Sequence, residues 1–322
     1  MKKILIIFIS ILSLTSCNNT STNETKSEKV AILTNLKETN TLIISDSTFV
    51  SPYQFNSISQ VFSLGYSLLE ISGLSYFSAK NQLLAVNDEQ GIIFVLNPNT
   101  GEVEDTYKHG YNGDFEGVEW FGEYIAVVKS NGNISFYNID KKETEYVQKT
   151  KLKPSNDIEG LAFDALTEEF LLACKGNPNL GKTDKYKKTK NIYRYNIKEE
   201  KILEEPYMSV KDKKLEKFVK KNSKDLDLSK SDIKDLKNRV KKFAPSGLAF
   251  HPQTRDLYLL SSSGKLVLIY NSNKDLTAIV FLDKKINRQP EGICFAPNGD
   301  LFISNEGNGL GAKLMKYAID NE

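Results

Sequence analysis

A Gly-apolar step recurs five times in this chain and constrains its fold more than any other feature. It stands at Ser72-Gly73-Leu74, Glu116-Gly117-Val118, Glu159-Gly160-Leu161, Ser246-Gly247-Leu248 and Glu291-Gly292-Ile293. The steps from Gly73 to Gly117, Gly117 to Gly160 and Gly247 to Gly292 are 44, 43 and 45 residues, while that from Gly160 to Gly247 is 87. A period near 44 among short β-branched and aromatic runs predicts an all-β fold, a β-propeller with one four-stranded blade per repeat.

Every copy has the same internal order. An apolar strand follows the Gly, and a turn such as Ala296-Pro297-Asn298-Gly299-Asp300 reverses the chain. Second strands are expected at 83–86, 124–128, 170–173, 257–260 and 301–303, and third strands at 92–96, 134–137, 192–195, 265–270 and 314–317. A fourth closes most copies, as at 103–107 and 277–282. The last copy reaches Glu322 without a fourth strand, whereas the apolar run 58–64 precedes the first copy with no blade of its own. The N-terminal strand is therefore expected to close the last blade and remove its open edge.

The long gap holds either a sixth blade or insertions within five. Residues 176–190 are rich in Lys, Asn and Gly, with no strand pattern. Residues 211–243 show helical spacing, with Leu215, Phe218 and Val219 followed by Ile233, Leu236, Val240 and Phe243. Ser229 or Ser231 is placed to cap the second of two short helices. Five blades with a small helical insertion at about 211–243 is the preferred reading, and six blades the alternative.

The first residues bear on compartment. Lys2 and Lys3 precede an apolar run, 4–14, too short to span a bilayer as a mature helix. The sequence Leu14-Thr15-Ser16-Cys17 resembles a bacterial lipobox. It implies removal of residues 1–16 as a signal peptide and lipidation of Cys17 with palmitate-type chains, with an ordinary secretory signal as the alternative. Such a chain is anchored to a membrane without spanning it, in the cell envelope on the periplasmic side or at the outer membrane. Residues 17–41 are polar and read as a flexible tether, leaving 42–322 as one propeller domain.

The net charge of +2 is unevenly spread, since 211–243 carries 13 Lys/Arg against 6 Asp/Glu. The rest of the chain is thus mildly acidic, which argues against a nucleic-acid partner. Cys174 and Cys294 lie in apolar strand patterns of non-adjacent repeats and are expected buried rather than bridged. The basic insertion is either a solvated decoration or a cationic surface for anionic lipid or a polyanion. A closed propeller has no structural need to oligomerise, so a monomer is expected.

Strand direction converts the repeat into a candidate site. In an antiparallel meander the start of strand one and the end of strand two share one end of the blade. That face collects Glu70, Ser72, Asp114, Glu116, Asp157, Glu159, Ser246 and Glu291 with the residues after each second strand, Asp88-Glu89, Lys129-Ser130, Lys175-Gly176, Ser261-Ser262 and Asn305-Glu306. The candidate ligand-binding set is Asp88, Glu89, Asp114, Glu116, Asp157, Glu159, Lys175, Glu291 and Glu306. Carboxylates around one mouth repel unless neutralised, by Lys129 and Lys175 or by a hard cation. Calcium is the candidate cofactor, with Glu116, Glu159 and Glu291 as candidate ligands. Soft metals lack ligands, because His109 and His251 are the only histidines. The Glu-Gly step is equally explained as a fold signature whose Gly permits close blade packing. No Ser-His-Asp triad, Gly-rich phosphate loop or Cys-His pair stands out.

The ordered set Ser72-Gly73-Leu74, Asp114-Phe115-Glu116-Gly117, Ile158-Glu159-Gly160-Leu161, Ser246-Gly247-Leu248-Ala249-Phe250 and Pro290-Glu291-Gly292-Ile293 resembles the SdiA-regulated (YjiK-like) propeller family over most of 66–320. The second-strand runs 83–89 and 301–306 share the likeness. The resemblance implies an envelope-associated propeller of poorly defined function. Lys129 and Lys175 depart from it where a Glu is expected, as does the helical insertion. More distantly, Glu-Gly blades resemble gluconolactonase-like and phytase-like propellers that use channel calcium for hydrolysis, a chemistry that fold analogy does not transfer. The expected function is binding of a small ligand or envelope protein on the carboxylate-rich face, with a calcium-dependent hydrolase (lactonase, esterase or phytase-like) as the alternative.

Overall fold

The computed structural model describes residues 39–320. The signal segment 1–16, the candidate lipidation site Cys17 and all but the last residues of the tether lie outside the described residues. The described residues form five antiparallel sheets whose first strands contact one another in a closed ring, a five-bladed β-propeller.

Blade 1 is built from Ile71–Phe77, Gln82–Asn87, Ile92–Leu96 and Val103–Lys108. Blade 2 has Phe115–Phe121, Tyr124–Lys129, Ile134–Asn138 and Glu143–Gln148. Blade 3 has Ile158–Asp164, Glu169–Cys174 and Lys190–Asn196, and its fourth position is shared by Lys201–Ile202 and Met208–Val210. Pro206 falls between those two short strands, where it removes a ladder donor. Blade 4 has Gly247–Phe250, Leu257–Ser261, Leu266–Tyr270 and Leu276–Phe281. Blade 5 has Pro290–Phe295, Leu301–Asn305 and Lys313–Tyr317.

Gln60–Ser63 supplies the missing fourth strand of blade 5, with Gln60 opposite Lys316 and Ser63 opposite Lys313. The expected closure is therefore present. A second N-terminal strand, Leu42–Ser45, was not foreseen. It adds a fifth strand to the outer edge of blade 4, Leu42 opposite Phe281.

The long gap contains no sixth blade but two helices, α1 (Asp212–Asn222) and α2 (Lys230–Lys241). Ser229 caps α2 reciprocally: its Oγ accepts from Asp232 N at 3.2 Å while Asp232 Oδ2 accepts from Ser229 N at 2.9 Å. Leu215, Val219, Leu236, Val240 and Phe243 join a core with Ile44, Leu248, Leu266 and Ile279, so the hairpin is packed on the propeller. Buried Arg239 pins α2 further, donating to the carbonyls of Gly264 (2.9 Å), Lys265 and Leu282 (2.8 Å) at one end of blade 4. Cys174 and Cys294 are buried and unpaired.

The repeated Gly is explained by contact between blades. A Cβ on Gly73 would stand 2.7 Å from Gly117 Cα, one on Gly117 2.7 Å from Leu161 Cβ, and one on Gly160 2.6 Å from Leu248 Cδ2. On Gly247 it would meet the Glu291 carbonyl at 2.7 Å, and on Gly292 the Leu74 Cβ at 2.6 Å. Each Gly thus abuts the next blade, all the way round. The cavity left on the axis is about 10 Å³, room for about one water, so the ring shuts the channel.

Candidate functional site

Strand register decides which residues face the axis above the glycine ring. In blades 1, 2, 3 and 5 the ladder shifts at the Gly step, between Ile71 and Leu74, Phe115 and Gly117, Ile158 and Leu161, and Pro290 and Ile293. A bulge at that point re-aims the preceding side chain. The residues just before each Gly form a first layer: Ser72, Glu116, Glu159, Ser246 and Glu291. All five are buried, and the three Glu are each 8% exposed.

Opposite the residue two before each Gly stand Asn87, Lys129, Cys174 and Asn305. The next residue on each second strand therefore belongs to a second layer, Asp88, Ser130, Lys175 and Glu306, with Ser262 in blade 4. Lys129 and Lys175 are not equivalent, because successive side chains on a strand alternate. The Lys129 ammonium lies 4.7 Å from the Phe115 ring centre and forms no ion pair among the described residues. Only Lys175 reaches the ring, its Nζ donating to Glu159 Oε1 at 2.9 Å. The expectation that both lysines neutralise the mouth is corrected on this point.

Hydrogen bonds tie the first layer from blade to blade. Ser72 Oγ donates to Glu116 Oε2 at 2.7 Å. Ser246 Oγ donates to the Pro290 carbonyl at 2.9 Å and accepts from Ser262 N at 3.1 Å. The Ser262 and Gln289 side chains lie close enough to Glu291 to favour its charged form. At the rim, Asp114 accepts from the Ser130 hydroxyl, and Asp157 takes a left-handed conformation (φ 55°) as its carbonyl accepts from Lys175 N at 2.8 Å. The Glu89 carbonyl accepts from Gly113 N, and Glu306 N donates to Gln289 O, both at 3.0 Å. One oxygen of Asp88, Oδ1, is buried with no partner among the described residues.

The mouth is electrostatically loaded. Burial pushes the Glu116 carboxyl up to about 9, with Glu159 adding to the shift and the Ser72 bond opposing it. Burial raises Glu159 to about 7 against the pull of Lys175. Glu291 is raised by burial although Ser262, Lys175 and Lys265 oppose it. Glu306 is pushed up to about 8 by burial and then by Glu291, Glu70 and Asp88. Burial followed by Glu70, Glu89 and Asp114 raises Asp88. Burial alone pulls Lys175 down, but Glu159, Glu291 and Asp157 outweigh it and its net shift is upward. The cluster's charge is thus met in part by protons and in part by Lys175 and Lys265. A protonated carboxyl donates as well as accepts, so the layer bonds in both senses.

A resident calcium ion needs six to eight converging oxygens. Among the described residues no group of three or more His, Cys, Asp or Glu side chains comes close enough to hold a metal ion. Glu116, Glu159 and Glu291 stand in different blades, and two of them are engaged by Ser72 and Lys175. As placed, they do not form a coordination set. His109 and His251 are buried, each with its Nε2 unpartnered among the described residues.

One axial carboxyl escaped the sequence reading. Glu119, two residues beyond Gly117, accepts from Ser75 Oγ at 2.7 Å on the far side of the glycine ring. Burial pushes it up to about 8, against the Ser75 bond and the backbone of Phe163 and Trp120. The corresponding residues elsewhere are Ser75, Ala162, Ala249 and Cys294. The signal was a lone Glu inside the otherwise apolar run Gly117-Val118-Glu119-Trp120-Phe121.

The family model described as SdiA-regulated matches residues 65–310. Among solved structures, a nidogen/laminin complex is similar at 11% identity, covering 73% of this chain and 72% of that chain with a TM-score of 0.43. A luciferin-regenerating enzyme is similar at 8% identity, covering 86% and 95% respectively, also with a TM-score of 0.43. No curated protein matches the chain.

Proposed function

The chain belongs to the SdiA-regulated family, and from that premise we propose that it is a binding module of the cell envelope. In this reading its mouth takes up a ligand or partner through a cationic group, and lipidated Cys17 holds it on a membrane. The observation that carries the reading is the set of five carboxyls, Asp88, Glu116, Glu159, Glu291 and Glu306, all displaced above their ordinary range around one closed axis. Structural ion pairs also shift pKa values. Here, however, five raised carboxyls face only two nearby lysines, Lys175 and Lys265, among the described residues, and clustered displaced carboxyls mark binding sites. An incoming ammonium would stabilise the carboxylate forms and expel their protons. The shut axis makes the mouth a shallow receptor rather than a pore, suited to a small amine or a basic segment of an envelope protein.

Spermidine is a suitable probe, titrated by calorimetry at pH 8 and low salt in two buffers of different ionisation heat. Saturable binding is expected, with an apparent enthalpy that changes between buffers because protons are released. The Glu116→Gln/Glu159→Gln variant should weaken it by about tenfold or more. Absence of saturable heat, or equal affinity in that variant, would overturn the proposal. Calcium chloride, titrated in parallel, gives the metal alternative its own arm: tight saturable calcium binding lost in the same variant would replace the amine reading.

A further inference from the structure

The mouth does not use the helical hairpin, yet the two share one face. The hairpin lies between Met208–Val210 of blade 3 and Gly247–Phe250 of blade 4. Val210 is opposite Lys190, at the start of its strand and at the mouth end of blade 3. Arg239 clamps α2 onto Gly264 and Lys265, in the loop after the second strand of blade 4, which is also the mouth end. The N-terminal chain arrives there too. Asn40 N donates to Asp283 Oδ2 at 2.9 Å, and the adjacent Lys284 pairs with Asp235 of α2 at 2.6 Å.

The hairpin turns a distinctive surface away from the propeller. While Leu236, Arg239 and Val240 are buried, Lys230, Lys234, Lys237 and Lys241 recur at helical spacing on the other side of α2, with half-buried Ile233 on the border between the two faces. With Leu228 they line an open groove of about 490 Å³. Leu226, in the turn between the helices, is 39% exposed. Of the α2 lysines only Lys241 has an acidic partner among the described residues, Glu216 at 3.8 Å. Lys213, Lys214, Lys217, Lys220 and Lys221 extend the positive surface along α1 without an ion pair among the described residues.

We propose that the α1–α2 hairpin is a docking surface for an anionic phospholipid bilayer. Its lysines meet the headgroup phosphates while exposed Leu226 and half-buried Ile233 reach the apolar boundary. Charge complementarity supplies one argument, since lysines near an anionic surface each add attraction while their stems cover apolar groups. Position supplies the other: Asn40, at the start of the described chain, bonds Asp283, the neighbour of the Lys284 that pairs with Asp235, so a tether rooted in a membrane delivers this surface first. The inference draws on the anchored reading only for that second argument. Its test uses neither Cys17 nor the mouth.

The test is co-sedimentation of the chain from residue 39 onward, which contains all five sheets and both helices. The vesicles are phosphatidylcholine alone, or with roughly one third phosphatidylglycerol. Binding is expected to the anionic vesicles only and to fade with added salt. Lys230→Glu/Lys234→Glu/Lys237→Glu should reduce it by roughly tenfold or more, with an unchanged melting curve. Lys142→Glu/Lys149→Glu, on exposed residues of blade 2, should leave it intact. Ile233→Ser should weaken binding without changing its salt dependence. Equal binding to both vesicles, or no effect of the triple variant, would overturn the proposal. So would capture by heparin beads with none by vesicles, which would assign the surface to a soluble polyanion. If Cys17 proves unmodified, the vesicle result stands on its own.

Discussion

Glu116 and Glu119 lie three residues apart on one strand, each bonded at 2.7 Å by a serine of blade 1, yet they live in different electrostatic worlds. Both are held well above the ordinary carboxylate range, and burial is the main cause for both. Glu116 then adds Glu159 and Asp114 as like-charged neighbours, whereas Glu119 is otherwise relieved by backbone and Ser75 hydrogen bonds. On the far side of the ring Glu119 is a contained acid, with Ser75, Ala162, Ala249 and Cys294 at the equivalent positions of the other blades. The mouth holds a community of acids whose charges depend on one another. Burial alone is therefore a property of the propeller axis, and clustering is what distinguishes the mouth.

The most severe way to break this comparison is to force apart the glycine ring that divides the two regions. Gly117→Ala places a methyl 2.7 Å from Leu161 Cβ and should cost about 3 kcal/mol. Differential scanning calorimetry should then show melting lowered by roughly 6 to 10 °C. Gly110→Ala, with nothing within 4 Å of the added methyl, should stay within about 0.5 kcal/mol.

A smaller effect sharpens the contrast through pH. For a carboxyl whose folded pKa is raised, the native state keeps a proton that the unfolded chain releases. Its stabilising contribution is complete below about 4.5 and is lost as pH rises through the folded value, about 9 for Glu116 and about 8 for Glu119. Melting temperature should fall between pH 5 and 9. Glu116→Gln should flatten that fall more than Glu119→Gln does, because it also relieves Glu159. Equal flattening would mean that clustering contributes nothing.

The smallest effect concerns the two lysines. Lys175→Met removes the cation at Glu159 and should tighten spermidine binding by roughly fivefold, read by calorimetry at low salt. Lys129→Met, which loses only its place over Phe115, should leave the affinity unchanged. Matching responses would place Lys129 back at the mouth.

The propeller was legible because its decisive signals are local and repeated. Each Gly marks a blade, and the unpaired run before Gly73 matched the missing strand of blade 5. A serine cap for α2 was readable, though not which of Ser229 and Ser231 supplies it; the reciprocal bonds with Asp232 fall to Ser229. Leu42–Ser45 was not foreseen, because its partner strand lies more than two hundred residues away and nothing local specifies an extra edge. The site was half legible. Counting back from each Gly found Glu116, Glu159 and Glu291, since that offset is fixed by the fold. Counting forward from the ends of apolar runs misplaced Lys129 by one position, and on a strand one position reverses the side chain. Glu119 was missed because an acid inside an apolar strand looks like an outward-facing residue until the axis is known.

The separation of the two N-terminal strands has a mechanical consequence. The strand that welcomes the incoming chain is on blade 4, whereas the strand that fastens the circle is on blade 5. Between them Tyr53 and Phe55 are buried beside Tyr258, Phe295 and Tyr317, and the Tyr53 hydroxyl holds the Gly299 carbonyl at 2.6 Å. A tug on the leading end must first strip Leu42–Ser45 and then pull out two aromatic rivets before any load reaches the clasp at Gln60–Ser63. The outer strand works as a strain relief, the way a knot in a cable spares the plug, and lets the circle stay shut when the leading end is pulled.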